Sequence, residues 1–182
     1  MGLPVIGHTE EKKAGRVYWF TGLSGAGKTT LCRELVTHLR SLNYAVVMLD
    51  GDELREAMGA TNAHTREERL ELAMRYSHLC HLIAEQGIDV AIATISLFKE
   101  VHEWNRENMP GYEEIYLNVP LDELARRDPK KIYERASRGE LKNVAGVNFA
   151  IDEPQSPDMR IEWRNGLTVD AALAQVMEYL QL

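Results

Sequence analysis

Gly22-Leu23-Ser24-Gly25-Ala26-Gly27-Lys28-Thr29 is the stretch of this sequence best equipped for chemistry. It fits the pattern G-x-x-x-x-G-K-[ST], a loop that cradles phosphate. Glycines let the main chain wrap closely around an anion, where a side chain would block the approach or forbid the dihedrals. Main-chain N–H groups then point at phosphate oxygens, and the helix that follows aims its positive end at the same place. Lys28 reaches the outer phosphates, Thr29 offers a hydroxyl to Mg2+, and Thr30 extends the helix. The bland alternative is a glycine-rich turn with an incidental lysine, and the flanks argue against it. Residues 16–21 read as a buried strand. After the loop, Leu31, Leu35 and Leu39 recur at four-residue spacing, as on one face of a helix.

The elements that must position this loop follow in order. The first helix is expected to end near Ser41-Leu42-Asn43. Residues 44–49 read as a second buried strand ending in Asp50-Gly51-Asp52. Strand, helix, strand implies a parallel pair with a right-handed crossover, and ligands of such sheets bind beyond the carboxyl ends of the strands. Asp50 and Asp52 are therefore expected near the phosphates. Asp50 has two readings, support of the Mg2+ shell through water or the N-cap of a helix from Glu53 onward. Thr65 and Glu68 form a capping box for a long helix over 66–86, with Leu70, Ala73, Met74, Ser77, Cys80 and Ala84 on one face and Gly87 at its end. Residues 88–94 read as a third, central strand, with Ile95-Ser96 just past it at the binding edge. A helix over 98–108, a strand over 114–119, a short helix over 121–127, a strand over 160–163 and a closing helix from Thr168 complete the chain. The last helix carries Ala172, Val176 and Leu180. The expected fold is α/β: the P-loop nucleoside-triphosphate-hydrolase fold, a parallel five-stranded sheet with helices on both faces.

The domain organisation expected is a flexible leader over 1–15 and a single domain over 16–182. From 130 to 157 the composition shifts to Lys130, Lys131, Arg135, Arg138 and Lys142 interleaved with Gly139, Gly146 and Pro154. This reads as a mobile basic lid able to exclude water from a reacting phosphate, or as a solvated surface helix and loop. The chain has 182 residues, net charge -7 and 45% hydrophobic residues, which disfavours nucleic acid or an anionic membrane as partner. Cys32 and Cys80 sit among apolar neighbours and read as buried thiols, not as a disulfide or metal site. No apolar run is long enough to span a membrane, and residues 1–13 lack a signal-peptide core, so a cytoplasmic protein is expected.

The sequence resembles the adenylyl-sulfate kinase family from Arg16 to the last helix. The motifs that carry the resemblance are the phosphate loop, Leu49-Asp50-Gly51-Asp52 with Arg55, Glu68-Arg69, Ile95-Ser96 and Val119-Pro120-Leu121. Arg127-Asp128-Pro129-Lys130, Ile132-Tyr133, Arg138-Gly139-Glu140-Leu141-Lys142-Asn143 and Gly146 extend it. The resemblance implies ATP and Mg2+ as cofactors and transfer of the terminal phosphate of ATP to the ribose 3'-hydroxyl of adenosine 5'-phosphosulfate, often by a dimer. It implies that Asp52 orients the acceptor hydroxyl and accepts its proton, and that Lys28 and Ser96 belong to the catalytic set. Ser96 matches a family serine once proposed as a phosphorylated intermediate, which in-line transfer does not need, so a substrate contact is the simpler role. Arg55 and Arg69 resemble the arginines that pair with the phosphosulfate, with an ordinary helix-surface ion pair as the alternative for Arg69. Arg127 and Lys130 resemble lid residues near ATP, and Ile95 and Lys142 belong to the matched acceptor motifs.

The departures from the family pattern cluster at the acceptor nucleoside. An aromatic Phe-Ser is replaced by His64-Thr65, an Asn by Leu72, an arginine by Met74, and Phe-Thr-Gly-Ile-Asp by Val144-Ala145-Gly146-Val147-Asn148. Two family phenylalanines sandwich the adenine. Stacking contributes about 1–3 kcal/mol per base, so their loss weakens adenylyl-sulfate binding unless His64 or Phe149 stands in. Three readings stay open: an adenylyl-sulfate kinase with a rebuilt pocket, a sister kinase for another nucleotide such as cytidine diphosphoramidate, and a nucleotide-binding subunit without turnover. The intact Lys28, Thr29, Asp50 and Asp52 argue against the third.

Overall fold

The computed structural model describes residues 13–60 and 65–182. Five strands, β1 (Val17–Thr21), β2 (Val46–Asp50), β3 (Asp89–Ala93), β4 (Tyr112–Asn118) and β5 (Met159–Glu162), form one sheet in the order β2-β3-β1-β4-β5. Every pairing is parallel. β1 thus lies mid-sheet with β3 and β4 at its sides, and all five carboxyl ends face the same edge. The helices are α1 (Lys28–Ser41), α2 (Gly51–Ala57), α3 (Arg66–Ala84), α4 (Lys99–Asn108), α5 (Leu121–Arg127), α6 (Ile132–Ser137) and α7 (Val169–Leu180).

Alternation along β1 divides the core in two. Tyr18 and Phe20 pack with Leu31, Leu35 and Leu39 of α1 and with Val176 of α7. Val17 and Trp19 point the other way, onto Tyr76 and Cys80 of α3 and Val101 of α4. Each fully buried Leu or Ile contributes about 1.5–3 kcal/mol relative to exposure. Because both sheet faces are covered, the central strands are apolar without a period of two. Both cysteines are buried free thiols. Burial pushes Cys32 up to about 12, and it raises the Cys80 thiol as well.

The helix ends follow their sequence signals. Thr65 caps α3 in a reciprocal capping box with Glu68, and the Thr168 side chain caps α7. The face of α3 is displaced from the expected one. Leu72 and Tyr76 are buried beside Ala73, Ser77, Cys80 and Ala84, while Leu70 and Met74 are only half-buried. Apolar residues occupy positions 70, 72, 73, 74 and 76, so the sequence there defines no narrow stripe. The sheet and the cleft beside it select the face. Packing at the amino end starts at Gly15, whose N–H donates to Ala84 O at 2.8 Å. A Cβ on Gly15 would lie 2.2 Å from Ile88 O. Among the described residues no helix is long and apolar enough to cross a membrane.

Candidate active site

The phosphate loop joins β1 to α1 at the centre of the carboxyl edge. Gly22 has φ 144°, and a Cβ there would lie 2.7 Å from Leu117 O, so the loop leaves the sheet where only glycine fits. Gly27 caps α1 in the left-handed region at φ 98°, with no side-chain cap and no acidic residue in the first turn. The first N–H groups of α1 are therefore left for a ligand, and a phosphate suits them. Lys28 is buried and its Nζ donates to Leu23 O at 2.8 Å. Burial lowers its pKa to about 8, against the attraction of Asp52 and Asp50. A phosphate in the loop would supply the negative charge that this buried ammonium lacks.

Asp50 uses its two carboxylate oxygens for two tasks. One accepts from Asp52 N–H at 2.8 Å and caps α2. The other accepts from the Thr29 hydroxyl at 2.8 Å. The cap and the metal-site readings are therefore compatible. Thr29 and Asp50 stand together beside the phosphate loop, and they would be the residues to hold a Mg2+ there. No cluster of three or more metal-ligating side chains exists among the described residues. Asp52, at the first turn of α2, pairs with Lys130 across the cleft. Burial works to raise its carboxyl, but the hydrogen bond and charge of Lys130, with Arg55 and Lys28, outweigh it and hold Asp52 below the usual range.

Hydroxyl groups brace the chain just past β3, beside the cleft. Thr21 Oγ1 donates to Ile95 O at 2.5 Å, and Thr94 and Ser96 share a hydrogen bond of 2.8 Å. Ser96 is buried, with a left-handed φ of 31°, and its hydroxyl is engaged by Thr94.

One cleft of about 820 Å³ gathers Ser24, Gly25, Gly27, Lys28, Thr29, Thr30, Asp50, Asp52, Arg55, Arg69, Leu72, Ile95, Ser96, Lys130, Lys142, Val144 and Phe149. That volume suits a nucleotide-sized ligand. Arg55 presents a buried Nε that no acceptor among the described residues meets. Arg69 lies over the Phe149 ring at 5.0 Å, and burial, with the charge of Arg55, lowers its pKa. Phe149 packs edge-on to Phe98 at 6.2 Å. Val144 lies on another part of the wall, buried in the α1-side core. The segment carrying Val144, Phe149 and Ile151 is pinned through Asp152. Asp152 N–H donates to Leu97 O at 3.0 Å and its carboxylate accepts from Arg66 at 3.0 Å. Its carbonyl lies 3.3 Å from His102 Nε2, and His102 Nδ1 lies 2.5 Å from the buried Glu114 carboxylate.

A smaller cavity of about 100 Å³ lies on the far side of the phosphate loop, lined by Ala26, Gly27, Val119, Arg127, Trp163 and Leu167 among others. The Arg127 guanidinium lies 5.8 Å from the Trp163 ring centre. Glu123 holds it by accepting from Arg127 Nε at 2.6 Å, and binds Arg126 at 2.7 Å as well. Those two arginines bring the Glu123 carboxyl down to about 2. Arg127 and Ala26 thus belong to this second cavity, outside the main cleft. Gly22 shapes the loop from the sheet side, and Leu23 supplies the carbonyl for Lys28 and packs against Gly146. His64 lies outside the described residues. Sequence reasoning missed Trp163, Leu167, Phe98, Thr94 and Tyr76. Trp163 and Leu167 meet Arg127 only through β5 pairing with β4, which no local pattern reveals. Phe98 sits two residues past Ser96, and that proximity was the available signal.

The chain is similar to known proteins over most of its length. The sequence model of the family described as Adenylylsulphate kinase matches residues 14–162. An adenylyl-sulfate kinase of Myxococcus xanthus is 40% identical over 174 residues, 93% of this chain and 93% of the relative. A cytidine diphosphoramidate kinase of Campylobacter jejuni is 37% identical over 140 residues, 77% of this chain and 82% of the relative. Among solved structures, the Mycobacterium tuberculosis APS kinase in complex with AMPPNP and APS superposes with a TM-score of 0.84 at 29% identity, covering 93% of this chain and 99% of that one. A chain with this sheet order, this phosphate loop and these relatives belongs to the adenylylsulphate kinase family of phosphotransferases.

Proposed function

We propose that this chain transfers the γ-phosphate of ATP, with Mg2+, to the ribose 3'-hydroxyl of an anionic nucleotide. The loop and the α1 N-terminus hold the β- and γ-phosphates with Lys28. Thr29 and Asp50 would hold a Mg2+, which would neutralise charge on the phosphates when bound. The adenine of ATP occupies the small cavity beside Arg127 and Trp163. In the main cleft Asp52 orients the acceptor hydroxyl and takes its proton as the new O–P bond forms and the bond to ADP breaks. Lys130 pairs with Asp52 before substrates arrive, and the phosphates then compete for it. Residues 130–157 serve as the lid, closing over the transferred group. Arg55 and Arg69 receive the acceptor's anionic end, a task suited to their planar forks. The observation that carries this reading is the convergence of Lys28, Thr29, Asp50, Asp52, Arg55 and Arg69 on one cleft.

The acceptor this cleft suits best is a pyrimidine nucleotide of the cytidine diphosphoramidate type. Val144 offers no flat face for a purine sandwich, and among the described residues the rings that line the cleft are Tyr76, Phe98 and Phe149. The Campylobacter relative supports the same choice. Adenosine 5'-phosphosulfate is the second reading, supported by the Myxococcus relative and by Phe149 as a single stacking partner. Incubation with γ-labelled ATP, Mg2+ and each nucleotide, followed by phosphorus NMR of the product, tests the reaction. A new 3'-phosphomonoester supports it. ATP binding without transfer to any nucleotide would refute it.

A further inference from the structure

We propose that Tyr76 is a positioning residue for the reaction: its hydroxyl holds the first turn of α2, and with it Asp52 and Arg55, in working geometry. The proposal rests on the phosphotransfer reading above. α2 has seven residues and leaves β2 directly. A helix this short is marginal alone, so its placement must come from contacts outside it. Tyr76 on α3 is buried and lines the cleft. Its hydroxyl donates to Gly51 O at 3.1 Å. Gly51 is the first residue of α2, between Asp50 and Asp52. A carbonyl oxygen has two lone pairs, so it can accept this bond in addition to the helical one.

Gly51 also packs closely on Thr94, just past β3. A Cβ on Gly51 would lie 3.0 Å from Thr94 Oγ1 and 3.3 Å from Thr94 Cβ. The start of α2 is therefore held by Tyr76 and packed closely on the end of β3. One turn on from Gly51, Arg55 lies in the neighbourhood of the same hydroxyl: burial raises the Tyr76 pKa, and the charge of Arg55 pulls against that shift. One oxygen thus touches the turn that carries Asp52, and Arg55 follows one turn on in the same helix. A residue serving only to fill the core would need the ring and not the hydroxyl.

Tyr76→Phe separates the two, since it keeps the ring. With the acceptor that the wild type uses, kcat should fall on the order of tenfold while the KM for ATP stays within about twofold, the pattern of a misplaced reacting group. Amide hydrogen exchange gives a readout that needs no substrate. The Asp52 N–H should exchange about tenfold faster in the variant, while Val90 and Ile92 in β3 keep their protection. Unchanged kcat, or unchanged exchange at Asp52, would overturn the proposal. So would a general loss of protection that includes β3, which would mark a merely structural role. If the wild type turns over no nucleotide, the phosphotransfer reading fails, and exchange at Asp52 still decides the clamp.

Discussion

The two sides of the phosphate loop are built differently. On the side proposed for the phosphate donor, main-chain features dominate: Gly22 and Gly27 adopt conformations suited to glycine, and the α1 N-terminus carries no side-chain cap. On the acceptor side, side chains from α2, α3, the β3–α4 connection and residues 144–151 form the wall. Main-chain recognition of phosphate fixes a short contiguous motif. A side-chain pocket can be repopulated while the sheet beneath it stays the same. The difference explains how one fold can keep its phosphate donor and change its acceptor.

Substitutions on the two sides should therefore fail in different ways. Lys28→Ala should lower turnover at least a hundredfold with every acceptor, because the buried ammonium has no substitute. A fully active variant in the coupled ATP assay would remove the phosphate-loop role. Asp52→Ala should cost at least about a hundredfold in kcat with ATP binding, measured by calorimetry, retained. Near-normal kcat would exclude it as proton acceptor.

The acceptor side should show itself through ratios between substrates. Phe149→Ala removes the ring under Arg69 and should raise the acceptor KM about tenfold, within the range of one stacking face, with the KM for ATP unchanged. An unchanged acceptor KM would place the base elsewhere. Val144→Phe should shift the kcat/KM ratio toward adenosine 5'-phosphosulfate by about tenfold, at some cost in stability from overpacking. No shift in that ratio would show that Val144 does not face the base.

The smallest effect is expected at Glu123. Its folded carboxyl lies near 2, below the ordinary value of 4.5. A depressed carboxyl stabilises the fold above its unfolded pKa, and that contribution is lost as pH falls from about 4.5 toward 2. Glu123→Gln should unfold at higher pH than wild type on acid titration followed by circular dichroism. It should also raise the KM for ATP a few-fold by releasing Arg127. An identical acid midpoint would contradict the role of the arginine pairs.

The sheet, the loop and most helix ends were legible because local chemistry dictates them. Helix α5 ends where Asp128-Pro129 must stop it, and Thr65 with Glu68 marks the start of α3. Asp50 seemed to require a choice between cap and metal support, yet its two oxygens serve both neighbours at once. The α3 face was misjudged because five apolar residues crowd about two turns there. Only the packed sheet and the cleft decide that Tyr76 goes in and Met74 stays half-buried. The Arg127–Trp163 contact depends on strand pairing between distant segments, so no window of sequence contains it.

The most direct test of the account is kcat/KM measured side by side for cytidine diphosphoramidate and adenosine 5'-phosphosulfate, with ATP and Mg2+ saturating. The account predicts turnover with the pyrimidine acceptor and a kcat/KM at least about tenfold lower with adenosine 5'-phosphosulfate, the effect of one missing stacking face. A preference for adenosine 5'-phosphosulfate would contradict it and make the Phe98–Phe149 wall sufficient for adenine.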